Sequence, residues 1–257
     1  MVGGSVPPLI STIIPCWNDA GALSDLLKQL RELDGLDEVI VADASTLQSC
    51  ADIALAAGAH LVRCERPSRG GQMNAGARLA TGRILLFQHA DTELRQAHVD
   101  ALLSIAAERD IIGGAFHRKF DSRHKSLRWV QPIARVWAEF GGSFYGDQSI
   151  FIKRVAFEEL GGYAEIPLME DLEISRRLRR YGRTILLDPP IASSPRHAER
   201  HGAWRTTFRN SLLIAMFYCG VSPETLHRWY YRLTFPPLKN RSDEPVRPAA
   251  KAISESR

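Results

Sequence analysis

Cysteine is scarce in this chain: Cys16, Cys50, Cys64 and Cys219 are the four among 257 residues, and no two form a C-x-x-C pair. That excludes a zinc knuckle and a thioredoxin-like motif, and leaves reduced, mostly buried thiols as the expectation. No apolar run reaches the roughly 18 residues of a membrane span. The N-terminus, "MVGGSVPPLISTIIPCW", has no basic segment ahead of a long apolar one. A cytoplasmic protein without a spanning helix is the expectation. G-x-G-x-x-G, G-x-x-x-x-G-K-[ST] and G-x-S-x-G are missing, and no histidine partner is evident for Cys16. Dinucleotide, Walker-loop and acyl chemistries are therefore unsupported. No internal repeat occurs.

Basic residues are short in the first sixty positions, where Lys28 and Arg31 face eight acids; the remainder holds 31 basic residues against 21 acidic ones. Anionic partners belong to that later part: a phosphorylated small molecule, an acidic membrane face or nucleic acid. Nucleic acid is disfavoured, because the arginines fall among helical apolar positions rather than in an aromatic-interleaved patch.

What is present is an alternation. "LISTIIP" (9–15) reads as a buried strand, and Leu23, Leu26, Leu27, Leu30 and Leu33 carry the spacing of an amphipathic helix stopping near Gly35. "DEVIVAD" (37–43) is a second strand ending in Asp43. A helix (47–59), a strand (60–65), a glycine-punctuated loop running into a helix (70–82), a strand "RILLFQH" (83–89), a helix (94–109) and a strand (111–120) follow. Such alternation predicts an α/β fold with a mostly parallel sheet covered on both faces. Ligands of such sheets gather outside the C-terminal strand ends, where Asp43 and Asp91 stand. Beyond residue 120 the pattern loosens: a strand near 149–153, a short helix stopped by Gly161 and Gly162, a helix from about Leu168 to Tyr181, a strand 183–188, then helices.

Asp91 ends "FQHAD". It reads either as an N-cap for the next helix or as a hard oxygen ligand to Mg²⁺ or Mn²⁺ bridging a diphosphate. His89, two residues earlier, lies on the same side of an extended chain, and a nitrogen ligand there favours Mn²⁺. Glu170 and Asp171 open a helix, where acids suit the dipole irrespective of function. Glu173 and Arg177, four apart, read as a surface pair. Asp147 and Gln148 read as a turn before a strand.

"STIIPCWND", "DEVIVADAST", "RGGQMNAGARLATGRILLFQHADTEL" and "MEDLEISRRLRRYG", in this order and spacing, resemble the inverting family 2 glycosyltransferases of GT-A fold over about residues 9–188. The resemblance implies a nucleotide-sugar donor, UDP-linked, and a divalent metal. Asp43 would contact uracil. Pro15, Arg69, Gly70 and Asn74 would lie with the donor, joined by Asp147 and Gln148. Asp91 would hold the metal, with His89 standing where the family's first aspartate usually is. Asp171 would be the general base for an unknown hydroxyl acceptor. "SFYGDQSIFIKR" resembles the acceptor-side segment of a subgroup described as radical-SAM or selenodomain associated, which implies that Asp147 and Gln148 would touch the sugar or acceptor.

The processive Gln-x-x-Arg-Trp signature is absent; Arg196, Arg200, Trp204 and Arg205 stand beyond residue 190, either closing over diphosphate or packing in a helix interface. "SLLIAMFYCGV" (211–221) reads as a core helix, with a shallow dock for a lipid-linked acceptor and peripheral membrane contact as the other option. The expected organisation is a flexible 1–8, a GT-A domain 9–188, a helical C-terminal extension 189–234 and a disordered tail 235–257. Competing readings are a sugar-phosphate nucleotidyltransferase, whose phosphate loop after the first strand is missing, and a non-catalytic nucleotide-sugar-binding module.

Overall fold

A computed structural model describes residues 9–36, 38–118, 143–193 and 203–234. The expectations for 1–8, for the tail from 235, and for Arg196 and Arg200 lie outside these residues, as do the side chains of Trp204 and Arg205.

The first half is a parallel sheet with helices over it. β1 (Ile10–Cys16) lies between β2 (Glu38–Asp43) and β4 (Ile84–Phe87), and β3 (His60–Arg63) borders β2, all parallel. β1 is buried on both faces, Ile10, Ile13 and Ile14 having no exposed surface and Ser11 and Thr12 buried with them, which is why its sequence lacks the apolar–polar alternation of a half-exposed strand. Pro15 lies beyond Ile13–Phe87, the last β1–β4 pair, so its missing N–H leaves that ladder intact. α1 (Ala20–Arg31) starts where Asp19 accepts the Ala22 N–H at 3.2 Å, and it buries Leu23, Leu26, Leu27 and Leu30. Each such leucine is worth about 1.5–3 kcal/mol of burial. α2 (Ser49–Ala56) follows β2.

Residues 70–82, expected as a glycine-punctuated loop running into a helix, are helical from the outset as far as Leu79. α3 (Arg69–Leu79) is capped by Ser68, whose hydroxyl accepts from Gly71 N–H. Its glycines serve close approach: a Cβ on Gly76 would sit 2.5 Å from Ile13 Cγ2, and one on Gly70 2.5 Å from the Ala164 carbonyl oxygen. Low helix propensity is outweighed by contact that no larger residue allows. Gln72, buried, donates to the carbonyls of Cys16 (2.7 Å) and Ala42 (2.8 Å), fixing α3 over the ends of β1 and β2.

The second half changes direction. β7 (Ile150–Lys153) pairs antiparallel with β4, β6 (Ile111–Arg118) antiparallel with β7, and β8 (Arg183–Ser193) parallel with β6. A short β5 (Thr92–Glu93) closes the order 3-2-1-4-7-6-8-5. The result is a mixed, mostly parallel sheet. β4 stops at Phe87 rather than His89, and β8 continues to Ser193 instead of ending at 188. α4 (Gln96–Ser104), α5 (Arg154–Glu159) and α6 (Glu170–Tyr181) cover this half. α7 (Ala203–Tyr218) and α8 (Pro223–Thr234) follow, and Leu213, Phe217 and Leu226 pack on Leu172 of α6. Among the described residues no helix is long and apolar enough to cross a membrane.

Candidate active site

The C-terminal ends of β1, β2 and β3 build one corner. Asp43 is fully buried; its Oδ1 accepts the Ser45 N–H at 2.8 Å and its Oδ2 pairs with Arg63, its register partner on β3. Arg63 also donates to the Ser45 carbonyl at 3.0 Å, while 45% of its side chain stays exposed. Asn18 ties the two loops together: its N–H donates to Ser45 Oγ, and its Oδ1 accepts from Thr46 N–H. Between Cys16 and Asn18 stands Trp17, 53% exposed. Neither Trp17 nor Arg63 was singled out from sequence. An exposed tryptophan directly after a buried strand is the signal that was there to read.

The turn after β4 carries Asp91. It bends because Gln88, fully buried, donates to the carbonyls of Thr92 (2.7 Å) and His89 (3.3 Å) and accepts from Ser149 Oγ at 2.6 Å. His89 and Asp91 thus sit in a turn, and the extended-chain geometry expected for them is not what forms. The N-cap reading of Asp91 also fails: α4 begins at Gln96 and is capped by Arg95. Asp91 is exposed, and among the described residues its carboxylate accepts no hydrogen bond.

Opposite this turn, α6 presents its acids. Met169 takes the left-handed conformation (φ 70°), a strained geometry for a side chain of its kind, and so turns the chain into the helix at Glu170. Glu170 is buried and meets Arg69 of α3 at 3.4 Å. Asp171 Oδ2 accepts the Gly146 N–H at 2.8 Å, and its Oδ1 accepts that of Leu172. Gly146 opens a 3-10 turn (Gly146–Gln148) and also abuts the His89 ring, where an added Cβ would lie 2.5 Å from Cε1.

The loop Gly161–Ala164 holds α3 and α6 together. Asn74 donates to the Tyr163 carbonyl at 2.9 Å and accepts its N–H at 2.8 Å, so the amide expected beside the donor is engaged at both ends by backbone. Arg177 forks onto Glu173 (2.7 and 2.6 Å) and donates to the carbonyls of Leu160 (2.5 Å) and Gly162 (2.7 Å). The pair read as a surface ion pair is a loop clamp. Gln148 is likewise internal, donating to the Phe116 carbonyl and accepting from Tyr145 N–H. Asp147 pairs with Arg118.

Electrostatics joins the turn to the helix. Partial desolvation works against the Arg69 charge, yet Glu170, Asp171 and Asp91 together hold its guanidinium above the ordinary value. Burial, then the Glu170 charge, pushes the Asp171 carboxyl up from 3.8 to about 6, against the N–H groups of Gly146 and Leu172 and the charge of Arg69. Burial and Arg69 press the His89 imidazole down to about 3, leaving it neutral. Asp91, Arg69 and Asp171 therefore share one field, whereas Asp43 belongs to the neighbouring corner.

Could this field hold a metal? Among the described residues the three-membered group of potential ligands is Cys16, Asp43 and Cys50, within 4.8 Å of one another. All three are buried, Asp43 is committed to Arg63, and burial followed by Cys50 pushes the Cys16 thiol up to about 12, so that group is a poor cage. Two of the four thiols are buried, with Cys64 half-buried and Cys219 exposed. Asp91, exposed with its lone pairs open, fits a hard cation that takes one or two protein oxygens and completes its shell from water and phosphate. A cleft of about 150 Å³ on the α1 side of Asp91, lined by Asp25, Gln29 and Glu93, is small for a nucleotide.

A mannosyltransferase from Pyrobaculum calidifontis, solved with GDP-Man and Mn²⁺, superposes with TM-score 0.63 at 20% identity, over 90% of this chain and 71% of that one. Glucosyl-3-phosphoglycerate synthase from Mycobacterium tuberculosis, solved with Mn²⁺, UDP and glucosyl-3-phosphoglycerate, superposes with TM-score 0.57 at 20% identity, over 83% and 81%. These likenesses show the GT-A fold. An uncharacterized protein, MT1568, of Mycobacterium tuberculosis (strain CDC 1551 / Oshkosh) is 31% identical over 139 residues, 52% of this chain. The chain spans 43% of the length of that curated relative. Residues 11–161, more than half the chain, match the profile described as Glycosyl transferase family 2, and the chain belongs to that family.

Proposed function

We propose that this glycosyltransferase moves a single sugar from a nucleoside diphosphate donor to a hydroxyl acceptor, with inversion and with Mn²⁺ or Mg²⁺. The observation carrying this reading is the meeting of Asp91, Arg69 and Asp171 in one electrostatic neighbourhood. Asp91 is the ligand assigned to the cation, and His89, neutral under burial, is the second. When bound, such an ion neutralises charge on the leaving diphosphate.

The chain's own residues supply the rest. Arg69, fixed by Glu170, offers a cation to the diphosphate; Gly70 lets α3 press against Ala164 so that this arginine stands where it does. Asp171, held by the Gly146 N–H, takes the acceptor's proton as its oxygen attacks the anomeric carbon from the face opposite the departing diphosphate. Asn74 and Gln148 act through the backbone they hold, not by touching the donor. Asp147, beside Arg118, stays assigned to the sugar or acceptor side, and Pro15 to the donor's edge of β1.

The helical extension α7–α8 packs on the base-bearing helix through Leu172, and it exposes Leu212, Tyr218 and Trp229. These exposed side chains support a lipid-linked acceptor met at a membrane surface. The narrower subgroup resemblance rests on residues 143–154 alone and assigns no further role.

The test is a thermal-shift panel of nucleotide sugars with and without MnCl₂, followed by assay of nucleoside diphosphate release. Metal-dependent stabilisation that Asp91→Asn weakens at least about tenfold in apparent affinity, together with slow diphosphate release, is the expected result. Binding without turnover across all acceptor classes would leave a binding module, and pyrophosphate release from a nucleoside triphosphate and a sugar phosphate would mean a nucleotidyltransferase.

A further inference from the structure

We infer that the donor base is guanine, selected by Arg63, in place of the uracil that the sequence resemblance implies. The inference rests on the nucleotide-sugar reading above and concerns its base corner. A uracil ring offers N3–H as a donor and needs an acceptor to read it. Asp43 was the acceptor expected, but it has no exposed surface, and its two oxygens serve Ser45 N–H and Arg63. A base edge can reach that carboxylate only by displacing the pair that keeps its charge buried, which is costly.

Arg63 offers the opposite polarity at the same corner. Its guanidinium is gripped at two points, by Asp43 and by the Ser45 carbonyl at 3.0 Å, while 45% of the side chain remains open to solvent. The Ser45 loop is itself pinned by Asn18. Arginine only donates hydrogen bonds, and two contacts leave further N–H groups of the fork for a ligand. The edge that suits it carries two adjacent acceptors. Guanine has O6 and N7 in that arrangement; uracil has O4 beside a donor, and adenine and cytosine put an amino group there. Trp17, 53% exposed between Cys16 and Asn18, supplies an aromatic face at this corner. Stacking tolerates every base, so the discrimination falls to Arg63.

The experiment measures binding of GDP, UDP, ADP and CDP in MnCl₂ by titration calorimetry, to wild-type protein and to Arg63→Lys, which keeps the charge beside Asp43 but loses the fork. GDP is expected to bind about tenfold or more tighter than UDP, and Arg63→Lys to weaken GDP by about tenfold while leaving UDP within about threefold, as the loss of one bidentate base contact predicts. UDP binding as tightly as GDP overturns the inference and leaves the transferase reading intact; so does a GDP preference that survives Arg63→Lys. If no nucleoside diphosphate binds with metal, the transferase reading itself falls. Should Arg63→Lys fail to fold, the wild-type ranking of the four nucleotides decides alone.

Discussion

Two carboxylates at neighbouring corners of this sheet are treated in opposite ways. Asp43 is sealed in, with an arginine in register across the ladder and a backbone N–H on its other oxygen. Asp171 is set beside a like charge, Glu170, in a place that resists ionisation, with two backbone N–H groups for company. The first arrangement fixes a charge and spends it on structure. The second keeps a carboxyl near the point where it exchanges a proton at neutral pH, which is what a general base requires. Proximity to the ligand-binding edge does not by itself assign chemistry; the partner of each acid does.

The largest test of this contrast removes the carboxylate proposed as the base. Asp171→Asn is expected to lower sugar transfer by about 10²–10⁴-fold while leaving nucleoside diphosphate affinity within about threefold, read by single-turnover transfer and by calorimetry. Wild-type kcat/KM should fall about tenfold per pH unit below about 6, where the raised Asp171 carboxyl becomes protonated. Because the folded-state value lies above 3.8, stability associated with the protonated form is present below that pH and is lost as pH climbs towards about 6. A flat pH profile, or a variant that transfers at the wild-type rate, would make Asp171 no different from Asp43.

A smaller effect should come from the contact that brings the two sides together. Gly70→Ala places a methyl 2.5 Å from the Ala164 carbonyl oxygen, and backbone cannot yield as a flexible side chain can. The cost is about 1–3 kcal/mol by the usual range for overpacking, read as a fall of several degrees in Tm. Activity should drop further than stability alone explains, since Arg69 moves with the helix start. Gly21→Ala, on α1 with open space around it, is the control and should not destabilise.

This difference also marks what the sequence disclosed. The first half was legible because its signals are local: apolar runs, leucine spacing, and a glycine after α1. The resemblance picked out Asp91, Arg69 and Asp171, which come to share a field, although the strand order 4-7-6-8 that brings them together is not written in any one segment. What was hidden was every feature resting on non-local contact. The glycines of α3 read as loop because their reason for being there, Ala164 and Ile13, is far away in the chain. Gln88 is a polar residue continuing an apolar run, and its task of bending the Asp91 turn depends on Ser149. Asn74 and Gln148 carry the amides that substrate contacts use, so sequence cannot separate binding a ligand from binding backbone.

Arg177 and Arg183 extend the comparison to its smallest term. Both are arginines paired with an acid; spacing shows the first pair, four residues apart, and is blind to the second, which joins positions 73 apart. Arg177 holds two backbone carbonyls as well as Glu173, with 28% of its side chain exposed. Arg183 meets only Asp110 among the described residues, both side chains being more than half exposed. In water such a pair gains little, because solvent screens the attraction and ordering two long side chains costs entropy. Arg183→Ala should therefore change stability by no more than about 0.5 kcal/mol and leave transfer untouched, measured by denaturant midpoint and kcat. A loss of several kcal/mol there would mean that the exposed end of β8 bears weight assigned above to the loop clamp, and the division between structural and chemical charges would have to be redrawn from that edge.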